Sequence, residues 1–207
     1  MDNTLKINKK SKNKNLEPWL ENNDKIMFYK YLDKSTKYFE FGSGGSTYQA
    51  SIRNNIKQIY SIESDLEWHN KLKEIFKDKN HINLIYNEMD TKSNTWGYPG
   101  PNSTEDQKIN YSHQIISLDK NLSNDIDLVM IDGRFRVACC LKCFNVINDE
   151  CLIAFDDFLD RPEYHIVLIY YEIVDQTDDD RMVILKKKQN IKSIPDKLIK
   201  KYELDKH

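Results

Sequence analysis

The apolar positions of this chain fall in short runs separated by amphipathic stretches, and that alternation sets the expected architecture. Tyr38, Phe39 and Phe41 form the first run, read as a buried strand over about 37–41. QIYSIE gives a second strand at 58–62 ending at Glu63, and HINLIY a third at 81–86. DIDLVMID gives a fourth at 125–132 and CLIAFD a fifth at 151–156. Helical patterns lie between them at about 46–54, 64–79 and 134–147; in the second, Leu66, Leu72, Ile75 and Phe76 are expected on the inner side. Short strands alternating with helices predict an α/β fold with a mostly parallel sheet covered on both faces.

The flanks add four features. Trp19, Leu20, Ile26, Met27, Tyr29, Tyr31 and Leu32 predict an amphipathic N-terminal helix within 16–34, starting at Glu17 and ending near Asp33. The connection 87–124 far exceeds the usual few residues; its Gly- and Pro-rich first half reads as loop, its second half around Gln107–Leu122 as helix, and the whole as a lid. After the fifth strand, EYHIVLIYYEIV and RMVILKKK flank a turn at Asp178–Asp180, which predicts a helix running into an antiparallel edge hairpin. Residues 1–15 read as a disordered polar tail and 189–207 as a short helix or tail, leaving one domain over 16–188.

Charge and cysteine usage narrow the class. A formal charge of −2 and a pI near 6.2 give no global attraction to nucleic acid or an anionic membrane. No apolar run approaches eighteen residues and the N-terminus is polar and lysine-rich, so the expected setting is cytoplasmic. Cys139, Cys140, Cys143 and Cys151 include a CxxC spacing, but no second pair or HxxxH completes a zinc site, and they read as small buried thiols.

Candidate chemistry concentrates at strand ends. The turn Glu40-Phe-Gly42-Ser43-Gly44-Gly45-Ser-Thr47 holds three of the six glycines. Gly42 and Gly44 allow positive φ and close backbone approach, and Ser46-Thr47 can cap the helix that follows, so the stretch reads as a nucleotide cradle. Glu63, twenty-one residues after Gly42, is placed to accept hydrogen bonds from ribose hydroxyls. Asp132 closes the fourth strand and Asp156 and Asp157 the fifth. On adjacent strands about 4.8 Å apart, such carboxylates raise each other's pKa unless a cation compensates, and a divalent ion would do so. The alternatives are helix capping and cofactor contact, with Asp157 turned to solvent. His165 is a candidate general base or a satisfied structural histidine. Arg134, Arg136 and Arg161, near Tyr164, could bind an anionic substrate or be solvated charges; Trp96 and Tyr98 could stack on adenine or an acceptor sugar, or pack the loop.

Taken together, Glu40-Phe-Gly42-Ser43-Gly44-Gly45, Glu63, Asp132 and Asp156-Asp157 resemble class I S-adenosylmethionine-dependent methyltransferases over about residues 37–188. The resemblance implies a Rossmann-like seven-stranded sheet of order 3-2-1-4-5-7-6 with its seventh strand antiparallel. It implies Glu40, Gly42, Ser43 and Gly44 around the methionine portion of the cofactor, Glu63 on the ribose, and Glu88 or Asp90 near the adenine, with Asp132 also at the cofactor. Asp132, Asp156 and Asp157 look like the divalent-metal ligands of the catechol and macrocin types of O-methyltransferase, although Gly-Arg-Phe-Arg after Asp132 lacks the lysine base of the catechol type. The catalytic candidates are Asp132 and His165. The expected activity is methyl transfer from S-adenosylmethionine to a hydroxyl of a small molecule, such as a sugar or nucleotide sugar, assisted by Mg2+ or another divalent cation. Two other classes compete: a non-catalytic module of the same fold binding a partner through 87–124, and an NAD-dependent oxidoreductase. The second is opposed by Thr47 standing where the third glycine of the dinucleotide fingerprint would be. No Asn-Pro-Pro-aromatic motif follows the fourth strand, which argues against amino methylation of nucleic-acid bases, and self-association is left open.

Overall fold

A computed structural model describes residues 16–91, 95–178 and 181–206. Its strands are β1 (Lys37–Phe41), β2 (Gln58–Glu63), β3 (Ile82–Tyr86), β4 (Leu128–Ile131), β5 (Leu152–Phe155), β6 (Tyr171–Gln176) and β7 (Val183–Lys187). They form one sheet of order β3-β2-β1-β4-β5-β7-β6, as expected; β1 to β5 are parallel, and β7 runs antiparallel to both β5 and β6. Phe41 pairs with both Ile62 and Ile131, and Ile131 with Phe155. That register sets Glu63, Gly42, Asp132 and Asp156 side by side as the strands end.

Period-two alternation along β1 divides the core. Phe39 and Phe41 face a cluster built with Ile62, Ile131 and Phe155 and the helix α6 (Arg136–Phe144). Tyr38 faces the opposite cluster with Phe28 and Leu32 of α1 (Asn22–Leu32) and Ala50 of α2 (Gly45–Ser51). Glu40 lies on the same side as Tyr38, so a carboxylate is driven into the interior by the alternation itself. The four cysteines are free and buried, and burial pushes their thiols up.

Three expectations change. The first helix starts at Asn22 rather than Glu17, because Pro18 disfavours helical geometry at Glu17. Residues 16–20 instead run as an irregular strap, with Trp19 and Ile26 exposed. In α3 (Leu66–Phe76) the inner stripe is His69, Leu72 and Phe76, while Leu66 and Ile75 are exposed. At 100° per residue those two positions lie about 90° to either side of the stripe. The connection after β3 carries α4 (Glu105–His113) and α5 (Lys120–Asn124) rather than one helix. α4 starts with a reciprocal cap: the Gln107 amide donates to Thr104 Oγ1 at 3.2 Å and the Thr104 amide to Gln107 Oε1 at 3.0 Å.

The hairpin is preceded by a 3-10 helix at Pro162–Ile169, and the C-terminal region forms α7 (Asp196–Tyr202) on α6. Lys142 of α6, buried, donates to Ser112 Oγ of α4 at 2.7 Å and pairs with Glu203 at 2.7 Å just after α7. The tail 1–15 lies outside the described residues. Among the described residues no helix is long and apolar enough to cross a membrane.

Candidate functional site

The glycine turn is held from below by Glu40. Its carboxylate accepts from Tyr38 OH at 2.8 Å, Ser46 Oγ at 2.7 Å, Ser61 Oγ at 2.6 Å and Thr47 Oγ1. Burial nevertheless raises its pKa, with the four hydroxyls opposing the shift. Of the two expected caps, Ser46 turns to Glu40 instead, while Thr47 does cap the start of α2 from its third position. The N-cap is Gly44, whose amide donates to Thr47 Oγ1 at 2.8 Å, and both hydroxyls donate down to Glu40. Ser43 turns its hydroxyl inward onto Ser61 Oγ at 2.5 Å, while its carbonyl accepts from Trp68 Nε1 at 2.8 Å. Gly42 sits at φ +96°, and a Cβ there would lie 2.9 Å from Gly133. Only glycine permits this backbone and this approach of the turns after β1 and β4. Above Gly44 the space is open, its nearest neighbour being Trp68 Nε1 at 4.0 Å.

Glu63 lies beside this turn. Its Oε1 accepts from the amides of Ser64 and Asp65, both at 2.7 Å, and the Ser43 amide also acts on it. Burial outweighs these donors and pushes its pKa up to about 7. Beyond it an open groove of about 480 Å³ is lined by Asp65, Asn70, Tyr86, Met89 and Asp90 among others. Glu88 is exposed just after β3. Asp90 pins the following loop: its carboxylate accepts from the Asn102 amide at 3.0 Å and its carbonyl from Gly100 N and Ser103 Oγ. A second concavity, lined by Asn23, Lys30 and residues 175–178, lies at the β6 edge, away from these carboxylates.

On the other side of Gly42, Asp132, Asp156 and Asp157 converge, and the cation among them is Arg136. Its Nη2 lies 3.2 Å from Asp132 Oδ1 and 3.2 Å from Asp157 Oδ2, and its Nη1 lies 3.6 Å from Asp156 Oδ2. Nε donates to the Gly133 carbonyl at 3.0 Å and Nη1 to the Asp156 carbonyl at 2.7 Å, which fixes the plane of the guanidinium. Asp157, at φ +58°, also pairs with Arg161 and Arg181, both at 2.9 Å. Burial raises the pKa of Asp132 and, more strongly, of Asp156, and the two carboxyls act on each other. Asp156 Oδ1 is buried without a hydrogen-bond partner.

The expected divalent ion at Asp132, Asp156 and Asp157 does not fit this arrangement. The compensating charge is a guanidinium, Asp157 is committed to three arginines, and no group of three potential metal ligands is found among the described residues. His165 is accounted for by packing: Nε2 donates to the Phe158 carbonyl at 3.0 Å and the ring lies 4.9 Å from that of Phe158. That nitrogen carries a hydrogen and cannot accept a proton, which leaves only Nδ1 basic.

The rim is built from two chain segments: residues 16–20, which the apolar pattern assigns to the first helix, and the loop carrying the stacking candidates Trp96 and Tyr98. The 16–20 strap lies against Gly45, where a Cβ would meet the Glu17 carbonyl at 2.1 Å, and Gln49 Nε2 donates to the Leu16 carbonyl at 3.0 Å. From the strap Trp19 meets Trp96 of the long connection, with ring centroids 5.6 Å apart. Tyr98 lies under the Arg134 guanidinium at 4.3 Å, and Tyr111 of α4 places its hydroxyl where a Cβ on Gly133 would be.

No family model and no curated relative matches the sequence. Solved structures do match. A methyltransferase-like protein from Silicibacter pomeroyi superposes with TM-score 0.79 at 21% identity, covering 92% of this chain and 98% of its own. The chain carries the methyltransferase fold. A ribosomal protein L11 methylase from Lactobacillus delbrueckii subsp. bulgaricus matches with TM-score 0.52 at 11% identity, over 81% of this chain and 78% of its own. The tRNA methyltransferase TrmK of B. subtilis matches with TM-score 0.52 at 9% identity, over 83% of this chain and 67% of its own. At these identities the likeness concerns the fold.

Within that methyltransferase fold the sheet reverses direction of winding between β1 and β4, where Gly42 meets Gly133 and ligands of open α/β sheets bind. The register brings Gly42, Gly44, Glu63, Asp132 and Asp156 to that edge. In the sequence Arg136 reads as an anion binder or a solvated charge; its pairing with Asp132 is missed because Asp132 lies in the turn before α6, outside any helical spacing. The place of the strap carried no local signal either, because Pro18 and the contact to Gly45 are separated by more than twenty residues.

Proposed function

We propose that this protein transfers the methyl group of S-adenosylmethionine to a hydroxyl oxygen of a small molecule. The observation that carries the reading is the crevice at the β1/β4 switch point: a Gly42–Gly133 contact, open space over Gly44, and Glu63 and Asp132 on either side. The residues present fit the cofactor. Glu63, oriented by two backbone amides, would accept from the ribose hydroxyls, and the groove past Tyr86 and Met89 would take the adenine. Gly42 and Gly44 would admit the methionine portion over a turn that Glu40 holds from beneath.

When bound, S-adenosylmethionine supplies a sulfonium methyl, and the acceptor oxygen bonds to that carbon as the carbon–sulfur bond breaks and its electron pair stays on sulfur. Asp132, with its side chain 26% exposed and its proton affinity raised by burial, would take the acceptor's hydroxyl proton. Arg136 would hold Asp132 in place. Tyr111, the strap and the 95–98 loop would exclude water.

A thermal-shift comparison of S-adenosylhomocysteine with NAD(H) tests the cofactor. Ligand at a hundred times its dissociation constant stabilises by about 2.7 kcal/mol, roughly 5–10 °C for a chain of this size. A shift with S-adenosylhomocysteine alone is expected; a shift with NAD(H) alone would overturn the reading. Asp132→Asn should then keep the S-adenosylhomocysteine shift and lose labelled-methyl transfer to the acceptor, while His165→Asn retains both.

A further inference from the structure

Four of the five arginines gather at this sheet edge, and they divide sharply. Arg136, Arg161 and Arg181 all pair with Asp157. Arg134 has no carboxylate partner among the described residues. It is only 8% exposed, its Nε is buried without a hydrogen-bond partner, and its guanidinium carbon lies over the Tyr98 ring, 4.3 Å from the centroid. A buried cation left without an anion is costly unless something completes it. Arg134 also stands two residues after Asp132 and is close enough to act on that carboxyl electrostatically.

Beside it the rim presents two tryptophans that a folded chain has no internal reason to expose. Trp19 is 75% exposed and Trp96 69% exposed, although they touch. Their planes are tilted by 54°, which leaves no parallel-sided slot between them. Trp96 is held at φ +56° and Gly97 at φ +70°, a strained backbone for a bulky side chain. A Cβ on Gly97 would come 3.2 Å from Ser64 Oγ, so this loop is packed against the turn that carries Glu63. The sequence of groups along the rim is thus Asp132, Arg134, Tyr98, Trp96, Trp19: proton acceptor, unpaired cation, aromatic face.

We infer that the acceptor of the proposed methyl transfer is a planar ring bearing an anionic group, its ring stacked on the Trp96–Trp19 platform and its anion paired with Arg134. A free sugar lacks both features; a nucleotide and an aromatic carboxylate have both. Stacking on an exposed tryptophan and a charge-assisted pair to a partly desolvated arginine act together, so neither half of such a ligand binds as tightly as the whole. The inference rests on the methyl-transfer reading for its place in the reaction, while the binding it asserts stands alone.

The test is isothermal titration of the full chain with UMP, uridine, inorganic phosphate, 4-hydroxybenzoate and methyl glucoside, with and without saturating S-adenosylhomocysteine. UMP or 4-hydroxybenzoate is expected to bind at least about tenfold more tightly than uridine, phosphate or the glucoside, about 1.4 kcal/mol. Whichever of the two binds identifies the source of the ring. Arg134→Gln should weaken that ligand about tenfold and leave uridine unchanged. Trp19→Ala, at an exposed position that folding does not need, should weaken it several-fold and keeps the test decisive if Arg134→Gln fails to fold. Three results would overturn the inference: no binding by either ligand, phosphate binding as tightly as UMP, or loss of binding when S-adenosylhomocysteine is present, which would assign the tryptophans to the cofactor's adenine. The S-adenosylhomocysteine shift itself reports on the methyl-transfer reading, so its absence would fail that reading and leave the ring-binding result to be judged separately.

Discussion

Two carboxylate clusters stand at one sheet edge, and they are stabilised in opposite ways. On the β1/β2 side Glu40 is surrounded by four hydroxyls and Glu63 by backbone amides, without a cation in contact among the described residues. On the β4/β5 side Asp132, Asp156 and Asp157 surround Arg136, with Arg161 and Arg181 outside. Neutral donors tolerate either protonation state, so the first cluster can take up a proton with little rearrangement. Guanidinia favour the charged carboxylates, so in the second cluster Arg136 opposes the rise that burial gives Asp132 and Asp156.

The comparison breaks most visibly at Arg136. Arg136→Met removes the shared cation from three carboxylates and should destabilise the fold by about 3–5 kcal/mol in urea at pH 7. Without their cation the aspartates have folded-state pKa values above the unfolded ones, a stabilisation that is lost as pH rises. The variant should therefore recover stability relative to wild type as pH falls toward 5. A pH-independent loss would mean that Arg136 acts by packing alone.

Glu63 gives the next largest effect. Its folded pKa of about 7 exceeds the unfolded carboxylate value, so its contribution is full below about pH 4.3 and is lost as pH climbs through 7. Glu63→Gln, which keeps an acceptor for the two amides, should remove this slope and gain up to about 3 kcal/mol over wild type by pH 8. Affinity for S-adenosylhomocysteine should rise with pH through 7 in wild type, as the ionised carboxylate becomes the better acceptor for ribose hydroxyls, and be flat in the variant.

Glu40→Gln sharpens the same contrast on the neutral side. It replaces one acceptor oxygen by an amino group facing hydroxyls, which can rotate to accept, so a loss of about 1–3 kcal/mol is expected, with no dependence on salt. The smallest effect belongs to the rim: Trp19→Ala should change stability by no more than about 0.5 kcal/mol in the same urea titration. A larger loss would show that the strap holds the glycine turn through Trp19 itself.

Much of the framework was legible because it follows from local periodicity. Period-two runs located β1 to β5, and the glycines after Phe41 marked the turn because positive φ and backbone contact exclude other residues there. Glu63, Asp132 and Asp156 were recognisable as strand-end acids, and parallel strands place such ends on one edge. Like charges meeting there demanded a cation, and that much was also foreseeable; the identity of the cation was not. Arg136 takes the place expected for a metal because α6 starts at the turn of the chain after Gly133 and brings its first residue under the three carboxylates.

By itself, then, the sequence determined which residues are strands, where the glycines force a close turn, and which acids share an edge, since all three depend on neighbours a few positions apart. Only the tertiary structure decided that four hydroxyls from β1, β2 and α2 converge on Glu40, that a guanidinium neutralises the aspartates, and that Trp19 crosses to Trp96. Those outcomes depend on distances between segments remote in the chain, which packing sets and local pattern does not encode.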